Sequence, residues 1–402
     1  MLVSKPRTWR PASLARIPLL PLAWFLIALT VFFCSAVAVH FYSIVAGFHG
    51  FFPIAAGNDD GLYWQVSGIL AGGGSPPWVP NSYPVVLALI YRILAPDLFL
   101  GKVFSVLAGT LSVYVAVLLA SSFPGGERYT TRDLRHPGNI TGILLVCYPS
   151  LLFYSTQLVR DSYIVLCGVV AVYAAFQISQ RPHFQYVALV VAALALEYAL
   201  RPYAAISIAT GLGLSLVFGA RVPWRGRIGI AAAFLFLAGL VPLVAGKGLF
   251  AFNYIRPLLD PTVVSRFREL SYSTGGGAVG ISINYSSPVG FVFSYGYSLL
   301  TLLVGPFAWQ IHSIGQVVAM PEAIAMTILS ITIFMSLKRK GKLDRRLFVL
   351  LLPALVLLMV MAVFADNTGT NTRLRILPWI LLVIVFAVSR AGRGDGLTFR
   401  NP

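Results

Sequence analysis

The chain has 402 residues, of which 58% are hydrophobic and 11% are charged, and its mean hydropathy is +0.82. Several apolar runs reach roughly 20 residues, the length of a transmembrane helix, whereas the alternating strands of about ten residues that form membrane barrels are absent. No polar stretch is long enough to bury a core of its own, so the composition excludes a soluble multidomain enzyme. The sequence therefore predicts an all-α, polytopic helical membrane protein in which residues 1–402 form a single integral membrane domain.

The basic residues predict how the chain crosses the membrane. The net charge of +17 is carried by short clusters between the apolar runs, which is the pattern of cytoplasmic loops rather than of a nucleic-acid-binding surface. With these clusters inside, we expect about ten transmembrane helices, cytoplasmic termini, and short cytoplasmic tails at residues 1–19 and 391–402. The predicted crossings are 20–46, 98–121, 139–158, 161–180, 184–200, 203–220, 228–246, 319–337, 347–365 and 374–390.

Two apolar segments do not fit this threading as crossings. Residues 83–94 are too few to span a bilayer, since a transmembrane helix needs about 20 residues. A crossing at 291–309 would put the following basic loop on the outer side. Both segments are therefore predicted to be juxtamembrane helices at the outer face, where their aromatic residues are favourable. The alternative is that one of them crosses and the charge rule fails locally.

Asp59 and Asp60 form an acidic pair in the first outer loop, residues 47–82. The chain has only thirteen Asp and Glu residues against thirty Lys and Arg residues, so two adjacent acids are informative. Neighbouring carboxylates repel each other, which can raise the pKa of one of them and suit it to act as a general base. The alternative is structural, because Asp is favoured at helix N-caps and an amphipathic run follows at Leu62 to Leu70.

Three more charged residues are predicted to lie on the outer side. Arg160 and Asp161 precede an apolar run, where they form either a local ion pair at the start of a helix or a substrate contact. Arg201 lies four residues after Glu197, so an ion pair along one helix face competes with a phosphate-binding role for this arginine.

The C-terminal part of the chain adds further candidates. Arg373 and Arg375 follow a Gly-Thr-Asn-Thr turn and are predicted either to bind phosphate or to anchor at lipid headgroups. His312, beside Trp309, is predicted either as an acid–base group or as part of an interfacial aromatic belt. The outer segment 247–318 is predicted to act as a lid over substrate, and its cationic candidates are Lys247, Arg266 and Arg268.

Several short motifs resemble the GT-C superfamily of integral membrane glycosyltransferases, in particular its protein-mannosyltransferase and aminoarabinose-transferase branch. The matching layout begins with Asp59-Asp60-Gly61-Leu62-Tyr63-Trp64 after the first helix and continues with Asn81-Ser82-Tyr83-Pro84 before an apolar helix. Further matches are Arg160-Asp161-Ser162, Leu200-Arg201-Pro202-Tyr203, Gly305-Pro306-Phe307-Ala308-Trp309 and Gly369-Thr370-Asn371-Thr372-Arg373-Leu374-Arg375, the last three of which also resemble bacterial membrane proteins of the polysaccharide-assembly type. The resemblance covers most of the chain, but its motifs are short. The family's acidic pair is often Asp-Glu, and the lysine–proline pattern of the aminoarabinose branch is not matched at Tyr83-Pro84.

The resemblance implies a glycosyltransferase of a bacterial cytoplasmic membrane that acts on the outer face. It implies a polyprenyl-phosphate-linked sugar as donor, a glycan, lipid or protein as acceptor, and inversion at the sugar carbon. Asp59 or Asp60 would be the catalytic base, with Asp59 favoured, while the cations named above, together with Asp161, Tyr63 and His312, would bind substrate. This chemistry requires no cofactor, although the acidic pair leaves Mg²⁺ or Mn²⁺ open. The alternatives are a polysaccharide polymerase or ligase that uses polyprenyl-pyrophosphate-linked donors, and a lipid-linked sugar flippase.

Overall fold

The computed structural model describes residues 19–51, 59–123, 130, 133–180, 183–219, 260–273, 277–340, 344–364 and 367–391. The fold is 80% helical over these ranges, and they contain no β-strand beyond an isolated bridge between Ala278 and Asn367. The prediction of an all-α protein is thus confirmed for the described part of the chain.

The helices are numbered in chain order. They are α1 Leu19–Val45, α2 Asp59–Ala71, α3 Tyr83–Leu94, α4 Leu98–Ser121, α5 Pro137–Val146, α6 Pro149–Ser155, α7 Asp161–Gln180, α8 Phe184–Leu200, α9 Pro202–Gly219, α10 Pro261–Ser273, α11 Pro288–Val304, α12 Ile314–Lys340, α13 Phe348–Ala362, α14 Thr368–Leu374 and α15 Ile376–Ala391.

Five of the described helices are long and apolar enough to cross a membrane, namely α1, α4, α7, α12 and α13 with the 3₁₀ turn that precedes it. Two bent pairs, α5 with α6 and α14 with α15, raise the number to seven if each pair is one span. The described residues thus carry the apolar helices of a membrane-embedded protein, while the predicted count of about ten crossings is not confirmed. The crossing predicted at 228–246 lies outside the described residues.

The crossing predicted at 139–158 is instead two helices, because α5 and α6 meet at an angle of 60°. Pro149 explains the break, since proline supplies no backbone N–H and disfavours helical geometry in the residue before it, here Tyr148. The second bend, of 51°, lies between α14 and α15. Pro378 explains it in the same way, because its ring would clash with the carbonyl of Leu374 in a continuous helix.

The two segments predicted at the outer interface are helical. Residues 83–94 form α3, with the predicted bounds, and pack against α2. The segment predicted as a helix at 291–309 forms α11, which ends at Val304, and a separate 3₁₀ turn follows at Ala308–Gln310. The Gly305-Pro306 step ends α11, because proline cannot continue the backbone hydrogen-bond ladder.

The helix bundle has a buried centre and an apolar rim. In the most apolar 18-residue stretch of α4, and likewise of α7, 61% is buried inside the protein. The corresponding share in α1 is only 17%. Helix α9 packs closely on α13, and a Cβ added at Gly211 would lie only 2.4 Å from the Cα atom of Pro353. The exposed apolar side chains on α1 and α12 are those expected of lipid-facing helices.

This packing brings four helix ends together. Asp59 begins α2 and Asp161 begins α7, while Arg201 occupies the junction between α8 and α9. Arg373 lies in the last turn of α14, just before the bend into α15. Burying a polar side chain costs less free energy at such ends, because the terminal turns of helices leave backbone N–H and C=O groups free to form hydrogen bonds with it.

Candidate functional site

Asp161 is the centre of a buried charge cluster. Its side chain is only 2% exposed, and its Oδ1 atom accepts a hydrogen bond from Arg201 Nη2 at 2.9 Å. Its Oδ2 atom accepts from Nε and Nη2 of Arg373, at 3.0 Å and 2.7 Å. Two guanidinium groups therefore neutralise one carboxylate, whose place in the first turn of α7 is also favoured by the helix dipole.

Arg373 joins this buried carboxylate to the acidic pair. Its Nη1 atom donates to Asp59 Oδ2 at 2.9 Å, so one guanidinium group contacts two carboxylates from different helices. The side chain of Asp59 is 35% exposed, whereas those of Arg373 and Asp161 are 12% and 2% exposed. We call Asp59, Asp161, Arg201 and Arg373 the ion network. Asp59 is its accessible end.

Arg160 adds a third cation beside the ion network. Its Nη1 atom donates to the carbonyl oxygen of Leu200 at 2.9 Å, and the group interacts electrostatically with Asp161. The three arginines and two aspartates leave an excess of one positive charge. In addition, the Nε atoms of Arg160 and Arg201 are buried without a hydrogen-bond partner. Because an unpaired buried donor is costly, this charge and these N–H groups suit the site to an anion.

Two tyrosines fix the planes of the guanidinium groups. Arg373 lies over the ring of Tyr154 at 5.7 Å from its centroid, and Arg201 lies over Tyr203 at 5.8 Å. The hydroxyl of Tyr154 donates to the carbonyl oxygen of Gly369 at 3.0 Å, which ties α6 to α14. Cation–π contact and this hydrogen bond therefore orient Arg373 before any ligand arrives.

A small cavity adjoins the ion network. It has a volume of about 10 Å³ and is lined by Asp161, Arg201 and Arg373 together with apolar side chains of α7, α9, α13, α14 and α15. This is about the volume that one water molecule needs. A cavity of this size has no room for a sugar or a lipid phosphate, whereas the side chain of Asp59 in the ion network is 35% exposed.

Tyr63, one turn after Asp59 on α2, lies beside the same charges. It is 3% exposed, its hydroxyl accepts a hydrogen bond from Asn81 Nδ2 at 3.2 Å, and its ring packs edge-on against Tyr83. Burial raises the pKa of the Tyr63 phenol, which also interacts electrostatically with Arg160 and Asp59. A phenol kept neutral in this way remains a hydrogen-bond donor at neutral pH.

Arg375, a predicted phosphate ligand, is fully buried and has other partners. Its Nε and Nη2 atoms donate to Glu322 Oε1 at 3.1 Å and 2.8 Å, and its Nη1 atom donates to the carbonyl oxygen of Gly305. Glu322 Oε2 in turn accepts hydrogen bonds from the backbone N and the Oγ atom of Ser150. This second ion pair connects α6, α12 and the end of α11. Its contacts are those of a structural link between helices.

Of the other predicted ligands, Arg266, Arg268 and His312 lie outside the ion network. Arg268 is 2% exposed and donates to the carbonyl oxygens of Ile281 and Val363. Arg266 is exposed on α10 in an open depression, and His312 is exposed in the loop before α12. Lys247 lies outside the described residues.

The side chains of the ion network are not arranged as the ligands of a resident metal ion. Over the described ranges, no three His, Cys, Asp or Glu side chains are grouped to hold one. The oxygens of Asp59 and Asp161 also face guanidinium groups, which are anion-binding rather than cation-binding neighbours. Magnesium or manganese at the acidic pair stays a prediction.

No protein-family model matches this chain, and no characterised protein matches it significantly. The resemblance to GT-C enzymes therefore rests on the short sequence motifs alone.

Sequence reasoning missed three buried polar residues that tie separate parts of the fold together, Tyr154, Glu322 and Lys102. Tyr154 and Glu322 have hydrogen-bond partners more than fifty positions away in the sequence. An isolated Tyr or Glu in an apolar run does not indicate which residue it will contact. Lys102 carried a signal that could have been used. A lysine inside an apolar segment is costly unless its ammonium group has a polar partner, and here that partner is the carbonyl oxygen of Gly50.

Proposed function

We propose that the chain is a membrane glycosyltransferase of GT-C type that transfers a sugar from a polyprenyl-phosphate-linked donor to a glycan, lipid or protein acceptor. The observation that carries this proposal is the ion network, in which an accessible carboxylate adjoins an arginine cluster with one excess positive charge. Transfer from a lipid phosphate needs these two elements, a general base for the acceptor hydroxyl and cations for the leaving phosphate.

The charge of the cluster favours a monophosphate donor. A sugar linked to a polyprenol through one phosphate is a diester with a single negative charge, which matches the excess of one positive charge on Arg160, Arg201 and Arg373 over Asp59 and Asp161. A pyrophosphate-linked donor carries two negative charges and would leave the buried site with a net negative charge. This balance favours transfer over the polymerase or ligase alternative.

Asp59 is the proposed base because it is the accessible carboxylate of the network. In the free enzyme, its Oδ2 atom accepts a hydrogen bond from Arg373 Nη1, so this oxygen is not available to an acceptor hydroxyl. A donor phosphate competes for the same guanidinium group. Its binding draws Arg373 towards the phosphate and releases Asp59.

The released carboxylate takes the proton of the acceptor hydroxyl as the hydroxyl oxygen attacks the anomeric carbon of the sugar. The bond between that carbon and the phosphate oxygen breaks with inversion, and its electron pair leaves with polyprenyl phosphate. Arg160, Arg201 and Arg373 stabilise the additional charge on the leaving phosphate. The proton on Asp59 then passes to solvent, since this side chain is partly exposed.

The proposed setting is a bacterial cytoplasmic membrane with the ion network at the outer face. It includes about ten crossings, cytoplasmic termini, and the helices α2, α3 and α11 at the outer interface. The positive clusters between the apolar runs support this orientation.

The test is sugar transfer by purified protein in liposomes, with radiolabelled polyprenyl-phosphate sugars and membrane lipid extract as acceptor. Wild type is compared with Asp59→Asn, Arg201→Ala and the matched control Arg266→Ala, whose arginine is exposed outside the network. We expect the two network variants to lose transfer by about 100-fold or more while the control retains it. Transfer from pyrophosphate-linked donors alone would instead support the polymerase or ligase, and movement of the lipid across the bilayer without transfer would support the flippase.

A further inference from the structure

Three aromatic rings in α11 and in the turn after it form a stacked group outside the ion network. The ring of Phe307 lies nearly parallel to that of Trp309, at an interplanar angle of 15° and a centroid distance of 4.8 Å. It is also nearly parallel to the ring of Tyr297, at 19° and 6.2 Å. We call these three rings the aromatic platform. Phe307 covers one face of the Trp309 indole, yet Trp309 is 67% exposed, so its other face is open.

Hydrogen bonds hold the platform in a fixed plane. The indole Nε1 atom of Trp309 donates to the hydroxyl of Tyr297 at 2.8 Å, and Gln310 Nε2 donates to the same hydroxyl at 2.8 Å. Gln310 is 3% exposed, and its Oε1 atom accepts from the backbone N of Phe307 at 2.9 Å, which fixes the orientation of its amide. The rings are thus oriented before any ligand binds, so that little conformational entropy is lost on binding.

These hydrogen bonds distinguish Trp309 from a residue that anchors a protein in lipid. A tryptophan at the membrane interface places its ring in apolar surroundings and its N–H group among water and lipid headgroups. Here the N–H group is already bonded to Tyr297 within the protein, and the part left for a ligand is the face of the ring. Tyr297 accepts from two N–H donors, and the hydrogen bonds of the described residues leave its own O–H hydrogen available beside that ring.

An open ring face bordered by a hydroxyl donor matches the chemistry of a sugar. One face of a pyranose ring presents C–H groups, whose small positive charge is attracted to the negative face of an aromatic ring. The hydroxyl groups around the sugar accept and donate hydrogen bonds. A lipid chain would use the ring face but not the Tyr297 hydroxyl, and a phosphate would need a cation, which these three rings do not provide.

The platform is joined to the part of the backbone that carries the ion network. Arg375 Nη1 donates to the carbonyl oxygen of Gly305, two residues before Phe307, and Arg375 itself lies two residues after Arg373. Helix α11 also packs against α14, which has Arg373 in its last turn. One buried arginine therefore connects the turn that bears the platform to the helix end at which the proposed donor phosphate binds.

We propose that the aromatic platform binds a saccharide, whose ring stacks on Trp309 and accepts a hydrogen bond from the Tyr297 hydroxyl. The saccharide belongs to one of the two substrates of the proposed glycosyl transfer, either a glycan acceptor or the sugar of the lipid-linked donor. Its place in the reaction rests on the proposed function. The binding of a sugar to the platform does not depend on it.

The first arm of the test measures sugar binding without any transfer. Purified protein in a detergent that has no sugar headgroup is titrated with the methyl glycosides of glucose, mannose and galactose, and saturation-transfer NMR gives the Kd. Wild type is compared with Trp309→Phe, Trp309→Leu and the matched control Trp78→Leu, whose tryptophan is 62% exposed between α2 and α3. We expect Trp309→Leu to bind about tenfold more weakly, Trp309→Phe to retain part of the affinity, and the control to bind as wild type.

Two results of this arm would overturn the proposal. One is that the wild type binds none of the glycosides, and the other is that Trp309→Leu binds them as tightly as the wild type. Unchanged binding together with a lower melting temperature of Trp309→Leu in liposomes would identify Trp309 as a lipid anchor instead.

The second arm identifies the substrate that carries the saccharide. Transfer in liposomes is measured over a range of concentrations of the radiolabelled donor and of the membrane lipid extract that supplies the acceptor. A KM for the extract that rises about tenfold in Trp309→Leu, with an unchanged KM for the donor, assigns the platform to the acceptor, and the opposite pattern assigns it to the donor sugar. Two unchanged KM values would overturn its place in the reaction. If the wild type transfers no sugar, the proposed function fails, and the NMR titration still decides whether the platform binds a saccharide.

Discussion

Arg373 is the residue on which the ion network depends, since its guanidinium group contacts both Asp59 and Asp161. An arginine can do this because its N–H groups point in several fixed directions in one plane. The aromatic face of Tyr154 holds that plane. A single side chain therefore sets the distance between the proposed base and the buried centre of the site.

Replacing Arg373 with lysine tests this geometry while keeping the charge. A lysine ammonium group is a compact point charge and cannot reproduce the fork towards Asp161 together with the contact to Asp59. We expect Arg373→Lys to lower kcat/KM for sugar transfer by about 100-fold. The matched control is Arg266→Lys, at an exposed position outside the network, which should behave as wild type. Full activity in Arg373→Lys would mean that charge alone suffices.

Two buried glutamates allow a second comparison at the residue scale. Glu322 accepts hydrogen bonds from Arg375 and Ser150, whereas both carboxyl oxygens of Glu197, which is 0% exposed, have no partner. We expect Glu322→Gln to lower the free energy of unfolding by about 3–5 kcal/mol, because it leaves Arg375 buried without its counter-charge. Glu197→Gln should leave that free energy unchanged or raise it by about 1 kcal/mol, because no contact is lost. Denaturant unfolding in detergent micelles measures both, and an equal loss in the two variants would contradict the difference in their surroundings.

At the scale of the helices, the ends rather than the middles carry the chemistry. Asp97, Ser287 and Asn367 each accept a hydrogen bond from a backbone N–H in the first turn of the following helix. Such caps define where a helix begins, and hence which residues reach the site. His136 caps α5 in the same way through its Nδ1 atom, which accepts from the backbone N of Gly138 at 3.0 Å.

The cap of α5 should depend on pH. Only a neutral imidazole can accept this hydrogen bond, and burial lowers the pKa of His136. The stabilisation is therefore complete above the unfolded pKa of about 6.5 and is lost as the pH falls through that value towards the lower folded pKa. We expect the melting temperature of wild type to fall between about pH 7 and pH 5 by more than that of His136→Asn, which caps without titrating. Parallel curves for the two proteins would show that the cap does not titrate.

For the whole molecule, the sequence predicted the long helices well and the site only in part. The bounds of α4 and α7 agree with the predicted crossings 98–121 and 161–180, because each is a continuous apolar run without proline. The bend between α5 and α6 was missed, since Pro149 was read as part of one crossing. Hydrophobicity alone does not distinguish a straight helix from a broken one.

The same limit applies to the candidate site. Asp59, Asp161, Arg201 and Arg373 were each recognisable as charges beside apolar runs. The sequence does not predict that these side chains contact one another, because Arg373 lies 212 residues from Asp161 and 314 residues from Asp59. Closeness in the sequence is equally uninformative. Arg375 shares a motif with Arg373 and yet pairs with Glu322, outside the ion network.

The orientation of the molecule can be tested with single cysteines in a variant that lacks Cys34, Cys147 and Cys167. Ser75 is exposed in the loop between α2 and α3, which the proposed threading places outside, and Ser122 is exposed just after α4, at the end that the threading places inside. We expect a membrane-impermeant maleimide to label Ser75→Cys in intact cells and to label Ser122→Cys only after the cells are opened. The reverse pattern would place the ion network at the cytoplasmic face.

The contact between Arg373 and Asp59 has a kinetic consequence for the proposed reaction. While the site is empty, the base is masked by the cation that will later hold the donor phosphate, so neither an acceptor nor water is activated. Catalysis then follows an ordered sequence in which the lipid-linked donor binds first and the acceptor second. The acceptor hydroxyl therefore loses its proton to Asp59 only after the lipid-linked donor has bound, because one guanidinium group serves first the carboxylate and then the phosphate.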